Sequence, residues 1–293
     1  MSQWDGKSKG TVLGYKIFVF FIKNVGVKSA YLILYFVASY YFIFLKKSNT
    51  SIFYYFRKRL GYSYFKSKRM VFNSYYTFGQ TIIDKIAIGA GLKNKFTYEH
   101  DGREILIKLL EEKKGGVLIS AHIGNFEIAE HFFSEIDVNF QISLVTTDLE
   151  HSTIKKYLES ITHKPTVNFI LIGDDLSHIF EINSALARNE LVCFTGDRYF
   201  EGVKSLSENL LGEEALFPAG PFLIASRLKV PVVFVYVMKE PNLHYHLYTR
   251  EAKVIHRDEK GLLKEYAESV ETMVKRYPLQ WFNYFDFWNQ IND

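Results

Sequence analysis

His122 and Glu127 stand five positions apart in the stretch LISAHIGNFEIAEHF, residues 118–132. A neutral imidazole titrates near pH 6.5, so it can take up a proton at cytoplasmic pH. A carboxylate that accepts a hydrogen bond from one ring nitrogen fixes the tautomer and leaves the other nitrogen as a general base. Spacing alone does not separate this pair from a loop histidine beside a helix-capping glutamate. His131 and Glu135 are another close pair, but both fall inside a helical pattern.

A residue at a strand end and another in the first turn of the next helix can face each other across the loop. GVLIS, residues 116–120, reads as a short buried strand, which puts His122 just past its carboxyl end. Asn125 is then a candidate helix N-cap, and FEIAEHFF continues as an amphipathic helix with Glu127 in its first turn. A carboxylate there is favoured by the helix dipole.

The same alternation continues along the chain. Strands are expected at residues 116–120, 140–146, 168–172, 191–195, 230–238 and 244–249, and helices at 125–135, 151–163, 176–189, 219–229 and 260–277. This order predicts an α/β fold with a central, mostly parallel sheet flanked by helices, whose ligands bind beyond the carboxyl ends of the strands. TGDRY, 195–199, follows another expected strand and sets Asp197 and Arg198 at that same edge. Phe217, Pro218, Gly220 and Pro221 form a Pro- and Gly-rich loop before a helix whose first turn offers amide donors. YPLQWFNYFDFW, 277–288, is an aromatic terminal segment for which a place in the core is the simplest expectation.

Charge divides the chain. Residues 1–70 carry ten Lys and three Arg against Asp5 alone, a net +12, whereas the remainder carries 23 bases and 31 acids, a net −8. Between Lys28 and Lys46 runs SAYLILYFVASYYFIFL, seventeen uncharged residues rich in tyrosine. As a helix it would span roughly 26 Å, just short of a hydrocarbon core of about 30 Å. Lys46, Lys47, Arg57, Lys58, Arg59, Lys66, Lys68 and Arg69 follow it and suit anionic headgroups. A buried core helix pair is the plain alternative to a membrane anchor, and length and charge favour the anchor, spanning once or lying in the interface. If it spans, those cations keep the body cytoplasmic. The expected organisation is therefore a membrane-anchoring segment, 1–70, and an α/β domain, 71–293. A single cysteine, Cys193, permits no intramolecular disulfide and fits a reducing compartment.

Other chemistries lack their signatures. Cys193 has no thiolate partner for a zinc site, and neither a Gly-x-Ser-x-Gly elbow, a P-loop nor a dinucleotide fingerprint occurs. The apolar runs inside the basic region favour lipid over nucleic acid. No metal or cofactor is expected.

Taken together, the basic apolar N-terminus, AHIGNFE, GDR, FPAGPFLIA and YPLQWFNYFDFW resemble, in order and spacing, the bacterial lipid A biosynthesis (late) acyltransferase family. The resemblance covers nearly the whole chain. It implies a glycerolipid-acyltransferase-like fold, acyl carrier protein as donor, a lipid acceptor, and a place at the cytoplasmic face of the bacterial inner membrane on anionic lipid. It puts the catalytic pair on His122 and Glu127, and substrate contacts on Asn125, Asp197, Arg198, Phe217, Pro218 and Gly220. One segment departs: LIGDDLSHIF has Asp174, Asp175 and His178 where many members carry an arginine, which implies a different set of headgroup contacts.

For such chemistry His122 would take the proton of the attacking hydroxyl, oriented by Glu127 as in a triad whose nucleophile is the substrate. Oxyanion donors are sought at the backbone amides of Gly124 to Phe126, or at Arg198. Two alternatives are a glycerophospholipid acyltransferase, whose motif usually carries Asp, and a non-catalytic lipid-binding or assembly protein on the same scaffold.

Overall fold

The computed structural model describes residues 12–129, 141–146, 167–173, 176–199 and 203–288. Four helices lead: α1 (Val12–Asn24), α2 (Val27–Phe44), α3 (Lys46–Tyr54), which runs on into a π-helical turn at Tyr55–Arg59, and α4 (Tyr64–Ala87). Then come β1 (Thr97–Asp101), α5 (Arg103–Glu111), β2 (Gly116–Ser120), β3 (Ile142–Thr146) and β4 (Val167–Leu171). The chain continues through α6 (Ser177–Ala187), β5 (Leu191–Thr195), the hairpin β6 (Ser205–Leu210) and β7 (Glu213–Pro218), and α7 (Ala219–Arg227). It closes with β8 (Val232–Glu240), β9 (His244–Glu251) and α8 (Glu259–Arg276).

Seven strands form one sheet in the order β1-β9-β8-β2-β5-β3-β4. The five from β8 to β4 are parallel, and β9 turns back antiparallel on β8 and carries β1 parallel to itself. All five residues of β2 are buried, as a strand covered by helices on both faces must be. Its side chains alternate between two cores. Val117 and Ile119 pack on the side of α6, α7 and α8, while Leu118 packs with Cys193 and Val233 on the side of α5 and the inner faces of α1, α2 and α4.

The expected strands and the helices at 176–189, 219–229 and 260–277 stand within two residues of their expected ends. The helix expected at 125–135 opens as a 3-10 turn, Phe126–Ile128; helix geometry begins at Ala129, and the rest lies outside the described residues, as does 151–163. Pro218 ends β7 and Ala219 starts α7, so FPAG is a direct strand-to-helix junction and not a loop. The composition break at residue 70 falls inside α4, and Ala38, Ile52, Tyr55 and Phe56 share a core with Phe234, Tyr266 and Trp281.

Candidate functional site

Strand register builds the site. Ser120 of β2 and Thr195 of β5 are paired neighbours, and the ladder runs one step further through the Gly196 amide, which donates to the Ser120 carbonyl at 2.9 Å. Two residues beyond each strand stand His122 and Asp197. The His122 Nδ1 lies 2.7 Å from Asp197 Oδ1, and the His122 backbone amide donates to both carboxylate oxygens at 3.0 Å. The imidazole is part-exposed, whereas Asp197 has no exposed surface.

A buried carboxylate needs compensation. Trp281 Nε1 donates to Asp197 Oδ2 at 3.1 Å, and Asn283 Nδ2 donates to the same oxygen at 2.9 Å. Burial by itself would raise the Asp197 pKa, but the nearby His122, the hydrogen bonds from its ring and amide, and the charge of Arg198 outweigh it and hold the carboxyl at about 2. Asp197 is therefore a fixed negative charge. Nδ1 faces it, which directs Nε2 away from the carboxylate.

Arg198 faces the other way. Its Nε donates to Asn283 Oδ1 at 2.8 Å and its Nη2 to the Phe282 carbonyl at 2.8 Å. Burial lowers its pKa to about 10 against the pull of Asp197 and Tyr284. Asp197 and Arg198 thus clamp the segment 281–283 from both sides. The side-chain amide of Asn283 bridges the two, accepting from Arg198 and donating to Asp197.

That terminal segment also fixes the loop after β2. The Phe282 amide donates to the His122 carbonyl and the Gly124 amide to the Gln280 carbonyl, both at 2.8 Å, so residues 280–282 lie antiparallel to 122–124. The Asn125 amide donates to the Val237 carbonyl at 2.7 Å. These bonds engage the amides of Gly124 and Asn125, which removes them as the expected oxyanion donors. Gly124 has a φ of +68°, and a Cβ there would sit 2.2 Å from the Val237 oxygen, so only glycine fits.

Asn125 is buried and does not cap the following turn with its side chain. Its Nδ2 donates to the Thr81 carbonyl at 2.9 Å and to the Tyr245 hydroxyl at 3.2 Å. Tyr245 in turn donates to Asp84 at 2.6 Å, and Lys239 Nζ lies 2.6 Å from the same carboxylate. Tyr31 of α2 completes this buried cluster by donating to Asp84. Sequence reasoning did not mark Asp84, Lys239 or Tyr245, which lie in separate stretches of no motif character.

The backbone of Glu127 is in the 3-10 turn after Asn125, while its side chain lies outside the described residues, so the expected contact with His122 does too. Asp174 and Asp175 are likewise outside them. Phe217 is fully buried, with its ring 5.6 Å from that of Phe287, which stacks edge-on against Trp281 at 4.9 Å. It supports the Asp197 clamp from behind. A side chain at Gly220 would meet open space, so that glycine is not demanded by packing. Among the described residues no cluster of three or more His, Cys, Asp or Glu is placed to hold a metal ion.

A part-exposed imidazole fixed on a buried carboxylate whose pKa is held low is equipped to move a proton at the carboxyl edge of a parallel sheet, where ligands of such folds bind. Comparison with curated proteins finds no match. The model of the family described as bacterial lipid A biosynthesis acyltransferase, whose members transfer acyl groups, matches residues 7–289, and the chain belongs to that family.

Proposed function

We propose that the protein moves a fatty acyl chain from the thioester of acyl carrier protein to a hydroxyl or amine of a lipid A-like or other envelope lipid, at the cytoplasmic face of the inner membrane. His122 takes the proton of the acceptor as its oxygen or nitrogen attacks the thioester carbonyl. The tetrahedral intermediate then collapses, the C–S bond breaks, and the imidazolium returns the proton to the departing thiolate. No covalent enzyme intermediate is needed.

The observation that carries this reading is the 2.7 Å contact between His122 Nδ1 and Asp197. With Nδ1 held there, Nε2 is the basic atom. Asp197 stabilises the imidazolium formed in transit, and Glu127 adds a second negative charge for the same purpose at the head of the next turn. Asn125 serves by holding the loop, and Arg198 by holding the segment that covers Asp197. The strand-to-helix junction of Phe217, Pro218 and Gly220 adjoins this segment: Phe217 backs the clamp, and Gly220 leaves open space for substrate.

Lipid mass spectrometry of a deletion strain against its parent, with His122→Ala as the matched control, tests the proposal. The lost mass should equal one acyl chain on one acceptor, and the His122→Ala strain should show the same loss. A loss confined to glycerophospholipids would move the acceptor to that class. An unchanged lipid profile in both strains would overturn acyl transfer.

A further inference from the structure

We propose that α2 does not cross the membrane: it lies flat on an anionic lipid surface as part of the folded body, its outer stripe and the basic stretch after it forming a monotopic docking face. By length and composition α2 is a helix that can cross a bilayer, at 18 residues and a mean hydropathy of 1.5. Its surroundings decide otherwise.

One face of α2 is part of the protein core. Val27, Ala30, Leu34 and Ala38 are buried, and Leu34 packs so closely on Gly79 of α4 that a Cβ at 79 would come within 2.3 Å of it. The two helices run antiparallel, with Tyr31 at Asp84, Tyr35 on Tyr76 and Phe72, and Tyr41 on Tyr75. α4 is also fastened to the sheet domain, through Ser74 to Tyr284, Phe78 to Phe282, and Asp84 to Lys239 and Tyr245. α2 therefore cannot enter the hydrocarbon without α4 and the site following it. If it peeled away instead, a buried ion pair would lose the Tyr31 hydroxyl that both Asp84 and Lys239 engage.

The other face is exposed and apolar. Leu32, Tyr35, Phe36, Tyr40, Ile43 and Phe44 recur at helical spacing, with Phe36 80% exposed. Beyond it Lys46, Lys47, Arg57, Lys58, Lys66, Lys68 and Arg69 are exposed around the protruding Tyr64 and Phe65, the latter 84% exposed. No acidic residue occurs from residue 6 to residue 70 to neutralise them. Apolar stripe, protruding aromatics and uncompensated cations together match the boundary of a bilayer with anionic headgroups. Phe78, part-exposed and in ring contact with Phe282 at 4.9 Å, brings this face to the edge of the His122 loop.

Sidedness of labelling tests the proposal without any assay of acyl transfer. Cys193 is buried and its thiol is pushed up by burial, so the wild type is silent to a membrane-impermeant maleimide. Val25→Cys and Lys47→Cys place exposed thiols at the two ends of α2. In the full chain both should react in inside-out inner-membrane vesicles and neither in right-side-out ones. Reaction of the two from opposite sides would overturn the proposal. Flotation supplies the second arm: Phe36→Glu should lower binding to phosphatidylglycerol-containing vesicles by at least tenfold, as should Lys46→Glu with Lys47→Glu. Equal binding to pure phosphatidylcholine vesicles would remove the anionic surface as the partner.

Discussion

His122 and Asp197 hold equivalent positions beyond the ends of adjacent parallel strands, each two residues past the paired Ser120 and Thr195, and their 2.7 Å contact follows from that register. They stand 75 positions apart with no trace of the pairing in the sequence between them, whereas Glu127, the carboxylate nearest to His122 along the chain, is the one that spacing points to.

Asp197→Asn keeps the shape of the side chain and removes the charge. Turnover should fall by about 10²-fold or more. Glu127→Gln measured in the same assay separates the two carboxylates: if it alone abolishes turnover and Asp197→Asn leaves it intact, Asp197 does not orient the base.

The Asp197 carboxyl is held at about 2 against an ordinary 3.8, so the folded protein releases this proton more readily than the unfolded chain does. Its contribution to stability, about 2 kcal/mol, is fully present above roughly pH 4. It is lost as pH falls through about 2. Denaturant unfolding between pH 2 and 7 should show this acid-side decline, and Asp197→Asn should flatten that part of it.

Gly124→Ala forces a side chain into the Val237 oxygen at a left-handed backbone position. A loss of roughly 2 kcal/mol or more is expected, with turnover falling further than stability because His122 sits on the same loop. Melting temperature and turnover measured on one preparation give both figures.

Asp84→Asn leaves the buried Lys239 ammonium without its counter-charge. The expected cost is about 3–5 kcal/mol. Tyr31→Phe, which removes the hydroxyl that donates to Asp84 and accepts from Lys239 but keeps the ion pair, should cost about 2 kcal/mol. Comparable losses for the two would show that the ion pair is not what stabilises the cluster.

Much of the sheet was legible because buried parallel strands such as GVLIS and LVCFT read as unbroken apolar runs. β1 (TYEHD) and β6 (SLSENL) gave no such signal: neither contains an apolar run, and all of their residues but Leu210 are exposed or only half-buried. The shift in composition at residue 70 suggested a boundary where α4 runs unbroken, since helix continuity depends on packing along its whole length and not on charge. In the site, His122 announced itself by its motif. Trp281 and Asn283 lay in a segment marked for aromaticity alone, and their role as donors appears only when the sheet brings them to Asp197.

The donors that compensate Asp197 come from residues 281 and 283, 84 and 86 positions further along the chain. Synthesis proceeds from the N-terminus, so the helices with the lipid-facing stripe emerge long before the proton-handling pair can be assembled. The nascent protein can therefore be berthed on the bilayer while still chemically inert. Competence arrives only when the late aromatic segment threads back over a loop made more than 150 residues earlier, counted from His122 to Asn283.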